Sequence, residues 1–331
     1  MTSSGSLPVV GRSRTIVRAV ELVQRFAPTP LPMLLVGATG TGKELFAQHI
    51  HEMSRCTGRL VAVNCGALPR DMIESLLFGH CRGAFTGAVE ATSGLIEAAD
   101  RGTLFLDELC SLPVEAQVKL LRVIESKEVA RLGETRTRPV AFRVVASAEE
   151  NLRERVDMKS FRLDLYERVA GVVLTLSPLR DRPEDIVPLA EHFANLQGRC
   201  LERAAIAVLL NYSWPGNVRE LRVAIERAGF LSENGTLGGR AVAEAIALGG
   251  PGCRDGLRPA RDERTPGGET EVEKVIAVCR NQGWDARQAA AALGVSSATL
   301  YRKLRALGLS LRVFRSAAKT REDSQRILTL R

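Results

Sequence analysis

Up to about residue 175 the chain alternates short apolar runs with amphipathic stretches. The runs at 33–36, 60–63, 104–106, 142–146 and 172–176 are too short for buried helices and predict strands. Between them apolar positions recur at helical spacing, as in AQVKLLRVIE at 116–125. This alternation predicts an α/β fold, a parallel sheet sandwiched by helices. Past Ser177-Pro178 the strand runs stop, and helices are predicted at 183–197, 203–211, 218–232 and 240–248, punctuated by Trp214-Pro215-Gly216. The pattern divides the first part of the chain into a short tail (1–9), an α/β domain (10–176) and a helical domain (177–248).

Residues 249–268 mix glycine and proline with charge and predict a flexible linker, because they offer too little apolar surface to fold alone. A last compact unit, 269–311, carries ARQAAAALGVSSATLYRKLR at 286–305. Ala289, Ala290 and Leu293 give one apolar face, Gly294 takes a turn, and Ser296 caps a second helix whose Leu300 and Leu304 point inward. This predicts a small all-α helix-turn-helix whose second helix enters the major groove of DNA. Its candidate DNA-binding residues are Ser296, Ser297, Thr299, Tyr301, Arg302, Lys303 and Arg305.

Charge sharpens that expectation. The net charge is +8, and residues 301–331, including a basic tail at 312–331, hold nine basic and two acidic side chains. Nearly all the basic excess therefore sits where a polyanion partner is expected. The seven cysteines are never closer than nine residues apart, which excludes a zinc knuckle or a CxxC redox pair and reads as reduced thiols in a cytoplasmic protein. The N-terminus has no signal-peptide pattern, and no apolar run is long enough for a membrane span.

Candidate chemistry begins at Gly37-Ala38-Thr39-Gly40-Thr41-Gly42-Lys43-Glu44, between a strand run and a helical run. Glycines there let backbone N–H groups converge on phosphate oxygens at a helix N-terminus, and Lys43 reaches the β- and γ-phosphates. Glu44 stands where the general pattern has a Ser or Thr ligand of Mg2+. About 60 residues on, the apolar run 104–106 ends in Asp107 and Glu108. Asp107 is placed to hold Mg2+ through water, and Glu108 to orient the attacking water. ATP and Mg2+ are the expected cofactors.

Residues 78–88 read FGHCRGAFTGA, and with GATGTGKELFA, ESLLFGHCRGAFTGA, EAADRGTLFLDEL, FRLDLYERV and WPGNVREL the chain closely resembles the sigma-54-dependent activators, a branch of the AAA+ ATPases. The resemblance runs from Val10 to about Leu231, more weakly over 269–309 to their Fis-type DNA-binding tail, and it accounts for Glu44. It implies a P-loop ATPase with a helical lid that forms homo-oligomeric, hexameric rings. Gly83, Ala84, Phe85, Thr86, Gly87 and Ala88 are then the loop that grips sigma-54 RNA polymerase, and enhancer DNA is the second partner. Asn64 is implied to restrain Glu108. Arg162 and Arg168 are implied to reach the γ-phosphate of a neighbouring subunit. Arg219 and Arg227 are both candidates for the lid arginine that senses nucleotide. No regulatory domain is expected before residue 10, so control is expected from a separate inhibitory or co-activator protein. One departure bears on rate. Where the family has Thr-Asn after the fourth strand, this chain has Ala148-Glu149, and a carboxylate beside a phosphate is unfavourable. Slowed or altered hydrolysis is the expectation, with Ser147 or Glu150 as stand-ins.

Overall fold

Five parallel strands form the main sheet in this computed structural model, which describes residues 9–67, 69–149, 151–232 and 235–249. All of these lie in the first of two compact units, 1–260. The expected linker from 250 onward, the helix-turn-helix with Ser296 to Arg305, and the basic tail fall outside the described residues.

The α/β part contains α1 (Arg14–Phe26), β1 (Met33–Val36), α2 (Lys43–Met53), β2 (Leu60–Asn64), α3 (Arg70–Phe78), β3 (Gly79–His80), β4 (Thr92–Ser93) and α4 (Leu95–Ala98). It continues with β5 (Thr103–Asp107), α5 (Val114–Ser126), β6 (Glu128–Ala130), β7 (Thr137–Pro139), β8 (Arg143–Ala148), α6 (Leu152–Asp157), α7 (Leu163–Val169) and β9 (Val172–Thr175). The central order is β2-β5-β8-β1-β9. The loops after β1 and β5 therefore emerge on the same edge, either side of β8, where open α/β sheets bind ligands.

Both sheet faces are covered, which is why the strands read as continuous apolar runs rather than alternating ones. Leu34, Leu104 and Ala146 enter the core under α3 and α5, while Met33, Phe105 and Val145 enter the core under α1 and α2. Helix α1 places Ile16, Ala19 and Val23 on one stripe, and the Ser13 hydroxyl caps it by accepting from the Ile16 N–H (3.3 Å). Its other end is held by buried Arg143, whose guanidinium donates to the carbonyls of Ala27, Thr29 (2.7 Å), Phe26 (3.2 Å) and Leu31 (3.1 Å). A cation on the last carbonyls of a helix satisfies groups the helix itself cannot.

The helical lid comprises α8 (Ile186–Asn195), β10 (Cys200–Leu201), α9 (Arg203–Asn211), α10 (Asn217–Leu231), β11 (Thr236–Leu237) and α11 (Gly239–Ala247). Its core centres on Trp214 and Tyr212, edge to face at 4.9 Å, with the indole N–H donating to Leu209 O (2.9 Å). The expectation that strand structure ends near 177 is corrected here, because β10 and β11 pair in parallel inside the lid. The helix expected from 183 starts as a single 3-10 turn at Pro183–Asp185, with proline at the position where a missing N–H costs nothing.

Candidate nucleotide site and projecting loop

The loop after β1 is built by glycines that cannot be replaced in kind. The Gly37 N–H donates to Ala148 O (3.2 Å), and a Cβ at Gly37 would lie 2.5 Å from Leu176 O. Gly40 (φ +78) and Gly42 (φ +107) are left-handed, and a Cβ at Gly40 would lie 2.4 Å from Gly216 O. Gly42 caps α2, so the free N–H groups of that helix open onto the loop. The Lys43 ammonium donates to the carbonyls of Gly37 (2.7 Å) and Ala38 (3.1 Å), and Thr41 also donates to Ala38 O (2.8 Å). Burial pulls Lys43 below the ordinary lysine value, with Asp107, Glu149 and Glu108 opposing the shift and Arg219 adding to it. Ala38, Thr39 and Glu44 complete the turn and the first turn of α2.

Across β8 stand the two acids. Asp107 ends β5, and Glu108 follows in the left-handed region (φ 54). The Ser147 hydroxyl donates to Asp107 Oδ1 and accepts from the Glu108 N–H (3.1 Å). Asn64 lies opposite Asp107 in register, its amide donating to Asp107 Oδ2 (3.5 Å) and its oxygen accepting from the N–H groups of Gly66 (2.8 Å) and Ala67 (2.9 Å). Glu108 folds over Gly66, where a Cβ would meet Oε2 at 2.1 Å. Asn64 and Glu108 are thus neighbours across Gly66, although the Asn64 amide is engaged with Asp107. Loop and acids share one cleft of about 470 Å³ with Glu149, Arg155, Arg219 and Arg222. Arg227, two turns along α10, does not line it. Nor do Arg162, which pairs with Asp164 (2.6 Å), and Arg168, which pairs with Glu125 (2.8 Å). Ala148, though buried against the core, also lines the cleft.

Several contributors escape a reading by motif. The first N–H groups of α10, those of Val218 (2.9 Å) and Arg219 (3.3 Å), donate to Gly40 O. Asn217, left-handed at φ 55, donates to Thr39 O (2.9 Å) and accepts from the Leu179 N–H (2.8 Å). Buried Asp185 accepts from the Ser13 N–H (2.7 Å), the Ser13 hydroxyl (2.6 Å) and the Arg12 N–H. It faces Arg182 (3.6 Å), which donates to Thr41 O (3.1 Å). Beside this clamp lies a small, mainly apolar cavity of about 120 Å³, walled by Val10, Ile16, Leu189, His192 and Val218. The signal was present in the Arg182 and Asp185 of RDRPEDI, but long-range pairing has no local period.

Gly83–Ala88 form a tight turn, with the Gly83 N–H on Ala88 O (2.9 Å) and the Ala88 N–H on Phe85 O (3.0 Å). Phe85 is 46% exposed, with its ring 5.1 Å from that of His80. The stem is the β3–β4 pair, stitched to a neighbouring turn by Leu132 N–H to Gly79 O (2.9 Å) and Cys81 N–H to Leu132 O (3.0 Å). Arg131 of that turn grips Glu97 bidentately (2.8 and 2.9 Å).

The sequence pattern of the Sigma-54 interaction domain matches residues 9–175, spanning the cleft and the projecting loop alike. The chain belongs to the Sigma-54 interaction domain family. The AAA+ ATPase lid domain follows at 180–252. Among relatives, the DNA-binding transcriptional activator HyfR of Escherichia coli is 38% identical over 94% of this chain and 49% of its own length. The sigma-54-dependent transcriptional activator SfnR of Pseudomonas putida is 44% identical over 74% of this chain and 67% of its own. The chain thus spans about half to two thirds of these relatives. Among solved structures, NtrX of Brucella abortus in complex with ATP superposes with a TM-score of 0.66 at 29% identity, covering 92% of this chain and 70% of NtrX. As a Sigma-54 interaction domain with its lid, the molecule is a P-loop AAA+ ATPase domain.

Proposed function

We propose that this chain is a sigma-54-dependent transcriptional activator that hydrolyses ATP in a ring and uses the cycle to remodel the closed promoter complex. The observation that carries the reading is the path between its two sites. β2 ends at Asn64 beside Asp107, and the next helix along the chain, α3, runs into Gly79 and the stem of the Phe85 loop. A change at the terminal phosphate has one nine-residue helix to move in order to reach the loop.

Mg2+ fits the donors at hand. Among the described residues no three His, Cys, Asp or Glu side chains form a metal cage, and Asp107 is a hard oxygen ligand at the cleft. Mg2+ typically keeps its waters and binds one or two carboxylates together with phosphates, so it would enter with the nucleotide and offset charge on the phosphate oxygens. Lys43 and the α2 N-terminus hold the phosphates, and the small apolar cavity takes the base. Glu108 orients a water whose oxygen bonds to the γ-phosphorus as the bond to the ADP oxygen breaks, and the water proton passes to the carboxylate. Arg219, rather than Arg227, is the lid arginine of this site. Arg162 and Arg168, placed outside their own cleft, complete the cleft of a neighbouring copy in a hexamer. The basic C-terminal helix-turn-helix binds enhancer DNA, the loop Gly83–Ala88 engages sigma-54 RNA polymerase, and both partners place the work in the cytoplasm.

Open-complex formation by sigma-54 polymerase on a supercoiled template tests this. Phe85→Ala is expected to keep ATP turnover and lose open complexes. Open complexes that form equally well with a non-hydrolysable analogue would overturn the reading.

A further inference from the structure

The polar pair expected after the fourth strand is missing, yet the acids it would serve are held. We propose that Ser147 is the positioning residue of this nucleotide site, fixing Asp107 and Glu108 together through one buried hydroxyl. The proposal rests on the ATPase reading above and goes beyond it in assigning the task to a side chain one position earlier than the family places it.

Serine offers one donor and two acceptor lone pairs. Here the donor goes to Asp107 Oδ1 and one lone pair takes the Glu108 N–H at 3.1 Å. Ser147 is fully buried, so no water competes for either bond. The second bond also holds a strained backbone. Glu108 is a non-glycine residue at φ 54, and its left-handed turn is what throws its carboxylate over Gly66 into the cleft. The first bond sets the rotation of the Asp107 carboxylate. Oδ1 is engaged by Ser147 and Oδ2 by Asn64 at 3.5 Å, so the plane of this carboxylate, which would hold Mg2+ through water, is defined from two strands at once. Strand alternation explains the displacement. Ala148 turns into the core with Ala146, leaving 147 as the buried position on the opposite face, beside the acids. Glu149, beyond the strand, lines the cleft mouth and carries no N–H donor on its side chain.

The test compares the full chain with Ser147→Ala, Ser147→Thr and Ser147→Cys, reading ATP turnover against ATP and Mg2+ concentration, and ADP affinity with and without Mg2+. Ser147→Ala is expected to lower kcat about ten- to a hundredfold and to weaken the Mg2+ enhancement of ADP binding, as removal of an outer-shell partner does. KM for ATP and Mg2+-free ADP affinity should stay within about twofold, since the phosphate loop is untouched. Ser147→Thr, which keeps the hydroxyl, should restore most of the turnover. A Ser147→Ala chain with parental kcat and parental Mg2+ enhancement overturns the proposal. If that variant does not fold, Ser147→Cys, slightly larger and a weaker donor, decides instead, and full turnover there overturns it equally. A parent chain that binds ADP without hydrolysing ATP would sink the ATPase reading, while the Mg2+ dependence of ADP binding would still judge Ser147.

Discussion

Lys43 shows how much the site depends on one proton. Burial depresses its folded-state pKa below the ordinary lysine value of 10.5. The unfolded chain therefore binds this proton more tightly, and the site loses its ammonium at lower pH than a free lysine would. Phosphate oxygens beside the ammonium reverse the shift. ADP binding is thus expected to take up a proton at alkaline pH below 10.5, and affinity should fall as pH rises through that window. Calorimetric titration in buffers of different ionisation heat measures the uptake directly; a binding enthalpy independent of buffer would contradict it. At the same scale, Asp107, Glu108 and the loop glycines were legible because each sits at a strand end with a fixed spacing to Lys43. Ser147 and Asn217 were less so, because their value lies in partners 40 and 178 residues away.

Among elements, the long ones announced themselves. All five central strands appear within a residue or two of the apolar runs that predict them, because both faces of a parallel sheet are buried and the whole run must be apolar. The pairs β3–β4, β6–β7 and β10–β11 had no such signal, since two or three residues cannot express a period. Their support is lateral. The turn beneath the projecting loop is held by the Arg131–Glu97 pair, and the bidentate hydrogen bond from Arg131, with its charge, keeps the Glu97 carboxyl below its usual pKa against the cost of burial. A carboxylate with a depressed folded pKa contributes above its unfolded pKa and loses that contribution as pH falls through the folded value. The stem is therefore expected to loosen as pH falls below 4.5, before the central sheet does. Amide exchange at Gly79, Cys81 and Leu132 as pH falls reads this out, and Glu97→Gln should show the loosened rates already at neutral pH.

For the molecule as a whole, the arginines outside the cleft matter most. If Arg168 serves a neighbour's nucleotide, a chain with Arg168→Ala and a chain with Glu108→Gln lack different halves of one composite site. Each alone should be inactive, and mixing them should recover ATP turnover, with specific activity rising with protein concentration. A mixture as inactive as its parts would place the fingers elsewhere. Loss of the exposed Arg168–Glu125 pair should itself cost the fold little, about 0–1 kcal/mol. The Asp185 clamp carries a different kind of consequence. One carboxylate gathers the strap at Arg12 and Ser13 and faces the Arg182 that touches the phosphate loop, so the wall of the small cavity and the lid share a single latch. If that cavity takes the base, as proposed above, a departing nucleotide is expected to wait for the latch, with Asp185 setting the time. Stopped-flow displacement of a fluorescent ADP should find a shorter dwell time in Asp185→Asn, so that a residue remote from the reacting phosphates sets how long each turn of the cycle lasts.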